Sequence, residues 1–161
     1  MTTADVVGGV DAGLPVIEAV VDRAMVLLSA ESVGAMAETV RLTTEYLKTR
    51  EQFGQPLSSF QVLQHRLVEM LQAKEFAHAL CYRAAGAIDT TDGVERARAA
   101  AGIKAETGRA GKMIGQEAIQ LHGGMGMTDE MAVGHYFKRM TMIDTQFGNA
   151  AHHLRRFAAL S

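Results

Sequence analysis

The feature that most restricts this chain is the scarcity of breakers: proline stands only at 15 and 56, and the apolar residues between them recur at helical spacings. Ile17, Val21, Ala24, Leu28, Ala35, Leu42 and Tyr46 step by three, four or seven, with only Gly34 to interrupt them before Gly54. Pro15 suits a first helical position, where its missing N–H would have no partner. A helix is predicted over 15–50, about 35 residues and roughly 50 Å long at the usual rise. Phe53-Gly54-Gln55-Pro56-Leu57-Ser58 reads as a turn, and Ser58 or Ser59 can cap the next helix. Phe60, Leu63, Leu67, Met70, Ala77, Leu80, Ala84 and Ile88 then predict that second helix over 58–88.

Asp89-Thr90-Thr91-Asp92-Gly93 interrupts the pattern with cap-forming residues. A third helix over 93–121 carries Ala97, Ala101, Ala105, Gly108, Gly115 and Ala118 on one face, small enough for close helix packing. A glycine-rich turn at 122–126, a short connecting helix from Thr128 to Tyr136 and a last helix over 147–160 complete the reading. No segment alternates like a strand. The prediction is an all-α, up-down four-helix bundle over 14–161, behind a flexible, aperiodic segment, Met1–Gly13.

Composition removes several function classes. Sixteen basic against eighteen acidic side chains give a formal charge of -2, so nothing favours nucleic acid or an anionic membrane as partner. Charges interrupt every long apolar stretch before the roughly 20 residues that a membrane helix needs. The single cysteine, Cys81, has no internal disulfide partner, and no basic segment followed by an apolar one opens the chain, so a cytoplasmic protein is expected. The six histidines, at 65, 78, 122, 135, 152 and 153, show no i, i+4 pair with an acidic third ligand, so no metal site is expected. His152-His153 with Arg155-Arg156 reads as a solvated or interface face. The ten methionines read as gap-fillers between helices, and Cys81 as a buried residue of the apolar stripe.

Two motifs carry chemical information. Tyr46-Leu-Lys-Thr-Arg50-Glu-Gln-Phe53-Gly54-Gln-Pro-Leu, followed by Phe60-Gln61, Gln64-His65 and Leu67, resembles a stretch found throughout the acyl-CoA dehydrogenases. Gln120-Leu-His-Gly123-Gly124-Met-Gly126, about 70 residues on, resembles a second. The likeness covers about 14–160 and implies the family's C-terminal four-helix domain, without the N-terminal helical and middle β-domains. It implies FAD as cofactor, with Arg50 at the pyrophosphate and Gln52, Phe53 and Gln61 near ribose, adenine or phosphate. The Gln120–Gly124 backbone, Gly123 and Gly124 included, would approach the adenosine part, often across a subunit interface. The chemistry is apt: guanidinium offers a planar fork of donors to phosphate oxygens, and glycine lets backbone come close. Taken alone, Gly123-Gly124 reads as a helix stop; paired with Arg50-Glu-Gln-Phe-Gly it reads as a cofactor contact.

Family chemistry removes the α-proton of an acyl thioester with a carboxylate while the β-hydride moves to the flavin. At the usual base position, before a glycine at the start of the last helix, this chain has Phe147; at the alternative, 26 positions before Arg50, it has Ala24. By resemblance Asp22 touches the CoA portion of the substrate, although Met25 stands where an arginine is expected. Glu31 and Asp144 are expected to pair with basic neighbours or face water. The resulting expectation is an acyl-CoA dehydrogenase-like flavoprotein domain that supplies FAD contacts and a homo- or hetero-oligomer interface, has no base of its own, and holds FAD weakly or not at all when isolated. A scaffolding bundle without flavin, and an active enzyme using Asp144, are the alternatives.

Overall fold

The computed structural model describes residues 9, 12–89 and 92–161. The expectation of a flexible Met1–Gly13 segment lies mostly outside those residues. Five helices succeed one another: α1 Gly13–Thr49, α2 Gln61–Ala87, α3 Gly93–His122, α4 Ala132–Thr145 and α5 Ala150–Ala159. Between α1 and α2 lies a small antiparallel ribbon, β1 Glu51–Gln52 and β2 Gln55–Pro56, and then a 3-10 turn over Leu57–Ser59. The first three helices match the sequence reading, and the bundle is all-α apart from that ribbon.

Helix α3 is the axis of the molecule and packs against each of the other four. Its small-residue face explains how. A methyl group on Gly115 would come within 2.2 Å of the Phe137 ring, and one on Gly108 within 2.1 Å of the Asp144 carboxylate, so α4 lies as close to α3 as hydrogen side chains allow. Ala100, Ala101, Ile103, Ala110, Ile114 and Ala118 fill the rest of the interface, against Met25, Met36, Met70, Val133 and Met140. The methionines of the core behave as gap-fillers, whereas Met125, Met127 and Met142 are exposed.

Four details depart from the sequence reading. The short helix placed at 128–136 is α4, which starts later and runs to Thr145, buries Val133, Met140 and Ile143, and supplies the fourth member of the bundle. The last helix is only Ala150–Ala159. Neither Ser58 nor Ser59 caps α2; Phe60 occupies that position while Ser59 bonds back to the Pro56 carbonyl. At the other end, the first turns of α1 stand clear of the bundle, leaving Leu14, Val16, Ile17 and Val20 each at least 60% exposed. By contrast Asp92 caps α3 as its type suggests, accepting from the Val94 and Glu95 amides.

Candidate functional site

Arg50 ends α1 by turning extended (φ -79°, ψ 122°) while its N–H still donates to the Tyr46 carbonyl. The ribbon pairs Gln52 with Gln55, leaving Phe53-Gly54 as a two-residue loop with φ of +56° and +78°. Both signs are those of a type I′ hairpin turn, whose twist matches the flanking strands. Gly54 adopts this backbone freely, but Phe53 does so against the clash of its own Cβ. The Phe53 ring is 89% exposed and touches the bundle only edge-on, against Phe60 at 6.0 Å. Arg50 is exposed and forms no ion pair among the described residues. Gln52 donates to the Glu51 carbonyl at 2.9 Å, and Gln61, exposed, opens α2.

The second motif closes α3. Gly123 (φ +60°) turns the chain out of the helix and its N–H donates to the Gln120 carbonyl. The Gln120 side chain, Gly123 and Gly124 are exposed, and open space lies where either glycine would carry a Cβ. His122 is buried; its Nδ1–H donates to the Ala118 carbonyl at 2.8 Å, and burial pushes the imidazole pKa down. Tyr46 stacks on that ring at 4.3 Å and its hydroxyl donates to the His122 carbonyl at 3.3 Å. One turn before Arg50, Tyr46 thus joins the two motifs at one end of the bundle.

Phe147 and Ala24 stand at the two candidate base positions. Ala24 is half-buried on α1. Phe147 lies in the α4–α5 turn with φ +58°, next to Gly148 at +101°, and is half exposed. The neighbouring carboxylates are engaged. Asp22, almost wholly buried, lies 2.8 Å from an Arg156 nitrogen and 3.5 Å from Arg96 Nε, tying α1 to α3 and α5. Glu31 forms a two-pronged bond with Arg139 at 2.6 and 2.8 Å, which holds its pKa below the ordinary carboxylate value. Asp144 accepts the Ala150 amide at 2.9 Å at the start of α5.

Sequence reasoning missed the side chains that organise this region. Lys104 is fully buried, and its ammonium donates to the carbonyls of Ile143, Asp144 and Gly148 at 2.7, 2.9 and 3.0 Å. His153 is also buried, with Nε2–H donating to the Phe147 carbonyl at 2.9 Å. The expected solvated His-His-Arg-Arg face is therefore corrected in two places: His153 points inward and Arg156 grips Asp22. The available signal was positional, since Lys104 lies three residues after Ala101 and four before Gly108, on the face read as tightly packed.

Among the described residues no group of three or more His, Cys, Asp or Glu could hold a metal ion, and no helix is long and apolar enough to cross a membrane. A family model, "Acyl-CoA dehydrogenase, C-terminal domain", matches residues 11–159. The acyl-CoA dehydrogenase IpdE2 of Mycobacterium tuberculosis is 40% identical over 120 residues, 74% of this chain and 36% of that protein. FadE34 of the same organism is 37% identical over 145 residues, 89% of this chain and 20% of that one. The chain thus spans well under half the length of these two relatives. Among solved structures, the Tcur3481-Tcur3483 steroid ACAD superposes with a TM-score of 0.81 at 31% identity, over 87% of this chain and 38% of that one.

Proposed function

This chain belongs to the acyl-CoA dehydrogenase family through its C-terminal domain, and we propose that it supplies pyrophosphate and adenosine contacts to FAD, and an oligomer interface, in an acyl-CoA dehydrogenase whose base comes from elsewhere. The observation that carries the reading is the junction of Tyr46 with His122, which joins the Arg50–Gly54 turn to the Gln120–Gly124 turn. An anionic dinucleotide fits the groups gathered there: a guanidinium with no ion pair among the described residues, an exposed glycine edge and open space beside it. In this reading Arg50 grips phosphate oxygens, and Gln52, Phe53 and Gln61 flank the ribose, adenine or phosphate. Gln120 with Gly123 and Gly124 brings main chain against the adenosine.

FAD, when bound, is the hydride acceptor for α,β-desaturation of an acyl thioester. The missing part is the proton acceptor. Phe147 and Ala24 cannot take a proton, and loss of a general base costs about 10²–10⁴-fold in rate. Asp22, Glu31 and Asp144 are each held by donors within the fold, which favours their carboxylates as structural anions. Asp22 would meet the CoA portion only from within its arginine pair. The double designation of the Tcur3481-Tcur3483 neighbour supports a hetero-oligomeric assembly, in which a second subunit would supply the base. Exposed apolar side chains on α2, including Val62, Val68, Leu71 and Phe76, support association with further protein, in homo- or hetero-oligomers.

The test is purification of the chain alone and with candidate partner subunits, then flavin absorbance and its bleaching by a panel of acyl-CoA thioesters, a steroid-acyl thioester among them. The isolated chain is expected to hold little FAD and to bleach none; a base-bearing partner restores both. Stoichiometric FAD and substrate-driven bleaching by the chain alone would overturn the reading, and a complex that never takes up flavin would leave a scaffolding bundle.

A further inference from the structure

We infer that Lys104 and His153 form a backbone clamp that fixes the conformation at position 147 independently of the side chain standing there. An ammonium has three donors and no acceptor. All three Lys104 donors end on carbonyls of one short segment, those of Ile143 and Asp144 in the last turn of α4 and that of Gly148 in the turn itself. Helix-end carbonyls lack partners within their own helix and carry the negative end of its dipole, so a cation is the natural group to collect them. His153 holds the Phe147 carbonyl, which lies between them in the chain. Side chains of the segment bind its other edge: Asp144 accepts the Ala150 amide, and Asn149 accepts the His152 amide at 3.0 Å.

The backbone so held is one that phenylalanine does not choose. At φ +58° its Cβ crowds its own main chain. Such a conformation persists where surroundings over-determine it. Here they lie far off in sequence: Lys104 is 39 to 44 residues before the carbonyls it holds. The direction of the 147 side chain is therefore set from α3 and α5. What that direction is for rests on the proposed reading of 147 as the base position; the clamp itself does not.

The experiment uses the 161-residue chain, isotope-labelled for NMR, with Lys104→Met, His153→Leu and, as a control in the core, Ile114→Val. Each variant is read by the φ-dependent amide–α-proton coupling at 147 and by amide exchange at 148–150 relative to the rest of the chain. The clamp predicts that Lys104→Met abolishes the positive-φ signature and speeds exchange at 148–150 by at least roughly tenfold beyond any global change. His153→Leu, which removes one bond, has the same effect in smaller measure and carries the test if Lys104→Met does not fold. Ile114→Val leaves the signature intact. An unchanged signature in either folded clamp variant, or a uniform loss of protection along the chain, would overturn the proposal. A separate arm decides the reading it serves. Phe147→Glu, assembled with FAD and a partner variant stripped of its own base, gains acyl-CoA-driven bleaching that Lys104→Met then removes through kcat rather than KM. No gain from Phe147→Glu, with the NMR result intact, sinks the base-position reading and leaves the clamp standing.

Discussion

Two Phe-Gly turns, at 53–54 and 147–148, share an unusual backbone, with both residues at positive φ, and are secured in opposite ways. The first is a local object. A two-residue ribbon closes it, the Leu57 amide donates back to the Arg50 carbonyl at 2.8 Å, and its phenylalanine projects almost wholly into solvent. The second is held by side chains from α3 and α5, with buried donors on its carbonyls. Hairpin geometry is enough where a turn only has to present its residues outward. A turn whose direction matters to the interior needs partners placed by the whole fold.

The comparison can be broken most readily at Gly108. Gly108→Ala drives a methyl group into the Asp144 carboxylate and against Ala150, displacing the cap that starts α5, and is expected to cost about 2 kcal/mol by overpacking. Gly54→Ala meets no atom and has only its positive φ to resist it, at about 1 kcal/mol. Urea midpoints of the two variants check the order; a larger loss at 54 would show that the second turn does not depend on its packing.

Acidification probes the histidine beside each site. His122 and His153 are both held below their ordinary value of 6.5 chiefly by burial, and Lys104, His152 and Arg156 lower His153 further. Below that value the unfolded chain binds protons that the folded chain refuses, so stability falls as pH drops through 6.5 toward the folded pKa values. The slope is at most about 1.4 kcal/mol per pH unit for each histidine. Thermal melts between about pH 7 and 5 should show the loss, and Tyr46→Leu should leave the His153 share of it in place. A flat profile would mean that neither ring is sealed from water.

The smallest effect sharpens the local turn. Phe53→Asn gives the Asn-Gly pair that type I′ hairpins favour and should raise stability by roughly 0.5–1 kcal/mol, read as a higher melting temperature. The same replacement at 147 relieves a like strain, at φ +58°, but gives up the contacts of a half-buried ring, so its net gain should be smaller.

The legible parts of the molecule are those decided by neighbours in sequence. Apolar spacing gave α1 to α3 nearly to their ends, Asp92 announced a cap, and Gly108 and Gly115 announced a close approach. Boundaries beyond 122 were less visible: the helix read from Thr128 to Tyr136 begins only at Ala132, and the Val133, Met140 and Ile143 stripe runs on to Thr145. The motif residues at 50–54 and 120–124 could be named, but not their junction, since nothing in either segment encodes the stacking of Tyr46 on His122. Lys104, His153 and Arg156 were invisible for the same reason. A charged residue reads as solvated until the fold supplies its partner, and these partners lie 39, 6 and 134 residues away.

The longest of these separations bears on how the chain is made. Asp22 lies in α1, and its nearest counter-charge, Arg156, is synthesised 134 residues later. Arg96 of α3 offers this dehydrated carboxylate a counter-charge earlier, at 3.5 Å, but its 2.8 Å hydrogen bond waits for Arg156. Up to that moment only the longer Arg96 contact holds the Asp22 end of α1 to α3. The last helix then acts as a latch, so a nascent chain arrested before α5 should stay open to proteases near residue 22 even with the rest of the bundle formed.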